Sequence, residues 1–154
     1  MRVYFSGRSL AFWAISQYHH FEIRIHSCLK FSGGMCSLLD RLCVLLQCAP
    51  KNLADAMADV KNFPKIYAEV SKCRLKTTHL KENRYISFGA VSFQGANRQY
   101  AYRGYLGVTV QQHMYSKHRL MLRYPMLPSI EEHANAGHVN YYPIECLYWE
   151  ACDY

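Results

Sequence analysis

The pattern of apolar positions divides the chain into a helical first part and a strand-rich second part. Apolar residues recur at helical spacing over 35–47, and two shorter helical patterns follow at 53–62 and 65–72. Beyond residue 73, apolar and polar residues alternate instead, which is the pattern of strands with one buried face. We therefore predict two or three helices followed by a small sheet.

Polar turns divide the second part into short strands. The predicted strands cover 74–80, 84–93 and 139–149. A hairpin arm rich in Tyr and Arg is predicted at 98–108, and a polar loop at 129–138. Pro143 should confine the last strand to a sheet edge or a bulge, because proline cannot donate a ladder hydrogen bond.

A short helix and a strand are predicted between the hairpin arm and the polar loop. Thr109 precedes an apolar pattern and Gln112 follows it by three residues, which is the spacing of a capping box. The alternation over 120–124 then predicts a strand, and Pro125 and Pro128 should end it.

Composition and charge favour a single domain with an appendage and a polyanionic partner. The chain has 154 residues, of which 51% are hydrophobic and 14% aromatic, with 13 tyrosines. Its formal net charge is +7. A basic surface favours nucleic acid first and an acidic membrane surface second. The alternative is a modestly basic protein without an anionic ligand.

The cysteines and histidines do not predict a metal site, a cofactor or a catalytic centre. Seven cysteines occur without a CxxC pair, so we interpret them as reduced thiols of a cytoplasmic or nuclear protein. Cys146 and His138 are a conceivable nucleophile and base, but Cys146 has apolar neighbours that favour packing. Glu131 and Glu132 are interpreted as solvated. The apolar run at 10–15 is too short to span a membrane, so no membrane partner is expected. The sequence has no GxSxG motif and no acidic residues at metal-ligand spacing, so no enzyme activity is expected.

Aromatic and basic residues are interleaved through the second part of the chain. Basic groups neutralise phosphates and aromatic faces stack on bases, a combination that suits single-stranded nucleic acid. The alternative interpretation is that half of the tyrosines form the wall of a barrel and the basic residues are only solvated. The residues concerned are Tyr85, Tyr100, Tyr102, Tyr141, Tyr142, Arg84, Arg98, Arg103, Lys117, His79, His113 and His118.

Residues 110–128, VQQHMYSKHRLMLRYPMLP, closely resemble a segment of the PAZ domain of Argonaute proteins. In that family the segment runs V-x-Q-Y-F-x-x-K/R-H/Y-x-L-x-L-R/K-Y-P-x-L-P. Residues 141–145, YYPIE, resemble the Y-L-P-L-E-like strand that follows it. Upstream, 75–79 resembles the L-x-V-x-x-T-H strand, and Arg84 with Tyr85 resembles the basic-aromatic step after it.

The resemblance implies an α+β, mainly β fold: an OB/SH3-like small barrel with an inserted β-hairpin–helix module, flanked by N-terminal helices. The PAZ domain would span 27–149, preceded by a linker-like segment at 1–26 and followed by a tail at 150–154.

The resemblance also implies that a cleft between barrel and module holds the 3′ end of a small guide RNA, single-stranded or in a short duplex with a 3′ overhang. The rest of an Argonaute-like protein, its MID and PIWI domains, would be the partner. Tyr100 would pack under the terminal base. The implied RNA-binding residues are His79, Arg84, Tyr85, Tyr100, His113, Lys117, His118, Tyr141 and Tyr142.

The chain departs from the family pattern in four places. His113 stands where Tyr is usual, Met114 where Phe is usual, and Ile86 where a second Arg is common, while the loop 80–83 is shorter. The departures at His113, Met114 and Ile86 motivate a second hypothesis, a degenerate PAZ-like module that serves protein interaction or structure. A third hypothesis is the PAZ module of a Dicer-like nuclease.

Overall fold

The computed structural model describes residues 35–152, so the predicted linker-like segment at 1–26 and residues 27–34 of the predicted domain lie outside the described residues. The helices are α1 (Leu38–Leu46), α2 (Leu53–Ala58), α3 (Phe63–Ser71) and α4 (Val110–His118). The strands are β1 (Cys36–Ser37), β2 (Cys73–Thr77), β3 (Tyr85–Ile86), β4 (Ala90–Gly95), β5 (Pro128–His133), β6 (Val139–Pro143) and β7 (Leu147–Ala151).

The three N-terminal helical patterns are confirmed as helices, with two of them shortened: the first helix begins only at Leu38, after β1. The second helix ends at Ala58, and a 3-10 turn, Val60–Asn62, takes its place. The Asp59 carboxylate starts this turn by accepting a hydrogen bond from the Lys61 amide at 3.0 Å. Pro64 lies in the first turn of α3, where a missing amide hydrogen costs no helical hydrogen bond.

The strands form two antiparallel sheets, in the orders β1-β7-β2-β3 and β4-β5-β6. The predicted α+β class is confirmed, but the "mainly β" description is wrong, because helices and strands take similar shares of the described chain. Within residues 35–152 the ladders do not close into a barrel. Two predicted strands are each split between the sheets: 84–93 gives β3 and β4, and 139–149 gives β6 and β7. β7 continues to Ala151, so the first residues of the predicted tail are in the sheet.

The predicted strand at 120–124 is wrong, because the segment joins neither sheet. The Glu145 carboxylate accepts hydrogen bonds from the amides of Arg123 at 2.8 Å and Tyr124 at 2.7 Å. A side chain therefore satisfies donors that a neighbouring strand would otherwise satisfy.

The predicted loop at 129–138 is also wrong in its first half. Pro128 begins β5 rather than ending a strand, and β5 is the central strand of the second sheet. The hairpin arm at 98–108 contains a single bridge, Tyr100 to Thr109, and a 3-10 turn, Tyr102–Gly104, instead of two strands.

Two apolar clusters hold the elements together. The larger joins α1, α2 and α3 to both sheets through buried residues such as Leu42, Leu75 and Ile130. The smaller includes Val110 and Met114 of α4. Burial of such side chains is worth roughly 1.5–3 kcal/mol each, so the smaller cluster fixes α4 against the rest of the domain. None of the four helices in the described part has the length and apolar run needed to cross a bilayer.

Candidate nucleic-acid interface

A cleft of about 300 Å³ lies where α4 faces the end of β2 and the outer residues of β6. Seven of the nine residues predicted to bind RNA line it, whereas Tyr85 and Tyr100 do not. The seven are His79, Arg84, His113, Lys117, His118, Tyr141 and Tyr142.

Helix α4 supplies one wall of the cleft. The predicted capping box starts it: the Gln112 amide donates to Thr109 Oγ1 at 3.2 Å, and the Thr109 amide donates to Gln112 Oε1 at 2.9 Å. His113 and Lys117 are four residues apart and therefore share one face of the helix. That face meets the cleft, and the neighbouring Met114 both borders the cleft and is buried in the smaller apolar cluster.

Aromatic rings run through the cleft as a continuous series. The ring centroids are 4.9 Å apart from Tyr102 to His113, 5.7 Å from His113 to His118, and 4.9 Å from His118 to His79. Tyr142 follows at 6.2 Å from His79. The Tyr102 hydroxyl lies 3.1 Å from His113 Nδ1. Tyr102 belonged to the interleaved aromatic residues of the sequence but was not among the predicted cleft residues; its neighbour Ala101 is buried beside α4.

The histidines of this series favour the neutral form. Burial, followed by repulsion from His118, lowers the pKa of His79 to about 4. Burial and then the Lys117 ammonium lower the pKa values of His113 and His118. Among the described residues, His79 Nδ1 is buried without a hydrogen-bond partner.

Glu132 organises the back of the cleft, so its interpretation as a solvated residue is wrong. Glu132 as a whole residue is only 8% exposed. Arg84 Nη2 donates to Glu132 Oε2 at 2.8 Å, and the Tyr142 hydroxyl donates to the same oxygen at 3.0 Å. Burial opposes the charge on Glu132, but hydrogen bonds from Arg84 and Ser87 outweigh it and lower the pKa of Glu132. We name this arrangement, Arg84, Glu132 and Tyr142, the carboxylate network.

If 128–133 had been predicted as a strand, the sequence would have indicated that Glu132 is buried. It follows Ile130 by two residues, and residues two apart share one face of a strand. Ile130 is fully buried in the core, so Glu132 faces the same side.

Tyr85 and Tyr100 lie away from the cleft. Tyr85 precedes Ile86 in β3, and since successive strand residues face opposite sides and Ile86 is buried in the main core, Tyr85 faces outward. Its hydroxyl donates to Glu150 Oε2 at 2.8 Å. Tyr100 is 52% exposed beside its bridge to Thr109. Ile86, one of the departures from the family pattern, is buried in the main core opposite Leu75.

The net charge of the cleft is small, and its unpaired positive charge lies on Lys117. Glu132 neutralises Arg84, while Lys117 forms no ion pair with any residue of the described part. A phosphate would therefore meet one uncompensated ammonium beside neutral imidazoles that can donate or accept.

Burial raises the pKa of the Cys146 thiol to about 12, which favours the packing role over a nucleophilic one. Residues 35–152 contain no group of three or more side chains arranged to hold a metal ion.

Comparison of the chain with protein-family models gives no match. Comparison with curated proteins also finds no relative.

Proposed function

We propose that this domain binds the 3′ end of a small guide RNA in the cleft beside α4, as a PAZ-like module of an OB/SH3-like fold. The observation that supports the proposal is convergence: seven residues picked out by a resemblance along the sequence, from His79 to Tyr142, line one cleft. The action is recognition without bond making or breaking. The remainder of an Argonaute-like protein, with its MID and PIWI domains, would act on the bound strand, in the cytoplasm or the nucleus.

In this proposal the cleft divides its contacts between phosphate and base. Lys117 attracts the terminal phosphodiester, and His113 and His118, four residues and one residue away on α4, donate ring N–H groups to its oxygens. Tyr141 and Tyr142 of β6 shape the space for the terminal base. The carboxylate network fixes the Tyr142 hydroxyl, so Arg84 acts by positioning this wall as well as by charge.

Overhang preference tests the proposal. A short RNA duplex with a two-nucleotide 3′ overhang should bind more tightly than the blunt duplex of the same sequence, because only the overhang places a free 3′ end in the cleft. Fluorescence anisotropy at one fixed salt concentration measures both affinities. Equal affinities for the two duplexes would refute the proposal.

A double substitution tests the placement of the site. Lys117→Ala with His118→Ala should weaken overhang binding at least tenfold, because it removes the uncompensated charge and a neighbouring donor. Lys61→Ala with His133→Ala changes the same residue types at exposed positions outside the cleft and serves as the control. If both double variants lose affinity equally, the effect is general charge and the cleft is not the site.

A protein-interaction module is the second candidate function. It is favoured by the pairing of Arg84 with Glu132, which leaves the cleft less positive, and by the burial of Ile86 and Met114 in the core. This candidate predicts that the domain binds RNA no better than an unrelated basic protein of similar net charge.

A further inference from the structure

The outer face of the first sheet carries a row of aromatic and basic side chains. Lys76 of β2 lies directly opposite Tyr85 of β3 and also directly opposite Tyr148 of β7. Directly opposed residues project from the same face of a sheet, so the three side chains form one row. The neighbouring Leu75 is buried in the main core, which places the row on the opposite, outer face.

Both tyrosine rings of the row reach solvent. Tyr85 is 47% exposed and Tyr148 is 39% exposed. One strand separates β3 from β7, so their backbones are roughly 10 Å apart, with Lys76 between them. The rings therefore offer two separate stacking surfaces on either side of a cation.

The charge of this face complements phosphate. Arg74 lies two residues before Lys76 and shares its face. Arg74 Cζ is 5.1 Å and Lys76 Nζ is 5.7 Å from the centroid of the Tyr85 ring, so both cations are held beside an aromatic surface. Glu150, opposite Arg74, supplies one carboxylate, and the Tyr85 hydroxyl donates to it. Two cations and one carboxylate leave these described residues net positive.

We propose that this face is a second binding site, one for single-stranded RNA, and we name it the sheet platform: Arg74, Lys76, Tyr85 and Tyr148. Bases stack on Tyr85 and Tyr148 while Lys76 and Arg74 bind the intervening phosphates. Every base has a π face, so the platform tolerates different sequences and has no need of a strand end. It is thus independent of the cleft, whose proposed ligand is a 3′ terminus.

A circular oligouridine tests the platform, because a circle has no end for the cleft. The full chain should bind it in fluorescence anisotropy at fixed salt. Tyr85→Ala and Tyr148→Ala should each weaken binding about fivefold or more, the loss expected when one stacked base is removed. Tyr85→Phe keeps the ring and should bind like the unaltered protein. Tyr105→Ala, at an 87% exposed tyrosine outside the platform, is the control and should have no effect.

The salt dependence separates a phosphate contact from general charge. Lys76→Gln should reduce the slope of log affinity against log salt by about 0.7, the value for one phosphate contact on a single strand. Lys61→Gln removes the same charge at an exposed 3-10 turn and should leave the slope unchanged. Thermal melting confirms that each variant remains folded before binding is compared.

Three results would overturn the platform: no binding of the circle by the unaltered protein, undiminished binding by both tyrosine-to-alanine variants, or equal slope changes from Lys76→Gln and Lys61→Gln. The first of these would leave the face to a protein partner. Failure of the overhang preference with the circle still bound would refute the cleft alone, so the two proposals are tested separately.

Discussion

Replacing Glu132 by Gln tests the carboxylate network, because the substitution keeps the shape of the side chain and removes its charge. Oε1 of Glu132 faces the Ser87 amide at 3.2 Å, and Oε2 faces Arg84, Tyr142 and the Asn140 amide group. Whichever way the glutamine turns, its NH₂ group meets hydrogen-bond donors. The substitution therefore loses acceptors on one side and leaves donors unpaired.

The expected loss of stability follows from the burial of each partner. Breaking a buried ion pair by removing one partner costs about 3–5 kcal/mol. The Arg84 side chain is 49% exposed, so water can solvate the charge that the substitution leaves unpaired. The loss of stability should therefore lie at or below the lower end of this range. Each charge-assisted hydrogen bond contributes about 1.5–3 kcal/mol, and we therefore expect Glu132→Gln to lower the free energy of unfolding by about 2–3 kcal/mol.

Urea denaturation at neutral pH measures this loss, with the midpoint falling and the m-value unchanged. Glu131→Gln is the matched control, since its side chain lies on the opposite face of β5 and its one ion pair among the described residues is a 3.7 Å contact with His133. The control should change stability by less than about 1 kcal/mol. If Glu132→Gln is as stable as the control, the network does not hold this wall of the cleft and the reasoning is refuted.

Two further predictions concern stability. The pKa of His79 is about 4 in the folded domain, against about 6.5 unfolded, so below pH 6.5 the unfolded state takes up a proton that the folded state refuses. The free energy of unfolding should therefore fall between about pH 6.5 and pH 4. The full pKa shift corresponds to about 3 kcal/mol, and because the ring is only partly buried we expect a loss of about 1–2 kcal/mol. Denaturation curves of His79→Phe should lack this part of the pH dependence, and equal pH profiles for the variant and the unaltered protein would contradict it. Thr109→Ala should cost about 1 kcal/mol by removing the cap of α4, with Thr109→Ser retaining most of it; no difference between the two in urea denaturation would count against the capping box.

Local sequence determined the helices. The capping box of Thr109 and Gln112 and the proline in the first turn of α3 act over three or four residues, a distance that the sequence itself displays. The same holds for β2, whose alternation over five residues is preserved in the structure. The grouping of His113 and Lys117 on one face of α4 also follows from helical spacing, which the sequence itself displays.

Tertiary structure decided the features that depend on a distant partner. Residues 120–124 alternate like a strand, yet Glu145, about twenty positions away, takes the amides of Arg123 and Tyr124. Glu132 looks like a loop residue until β5 is paired on both sides. Its charge is tolerated inside because Arg84, which lies just before β3 of the other sheet, pairs with it.

The position of β3 separates the two proposed RNA sites. Arg84 and Tyr85 are adjacent in the sequence and resemble one basic-aromatic motif, but Arg84 lies just before β3 and reaches Glu132, whereas Tyr85 lies in β3 and pairs with Lys76 on the outer face. Arg84 therefore belongs to the cleft and Tyr85 to the sheet platform beside Lys76. Composition and spacing determined that this chain carries aromatic and basic groups together; only the pairing of strands, whose contacts span tens of residues, decided which of them meet.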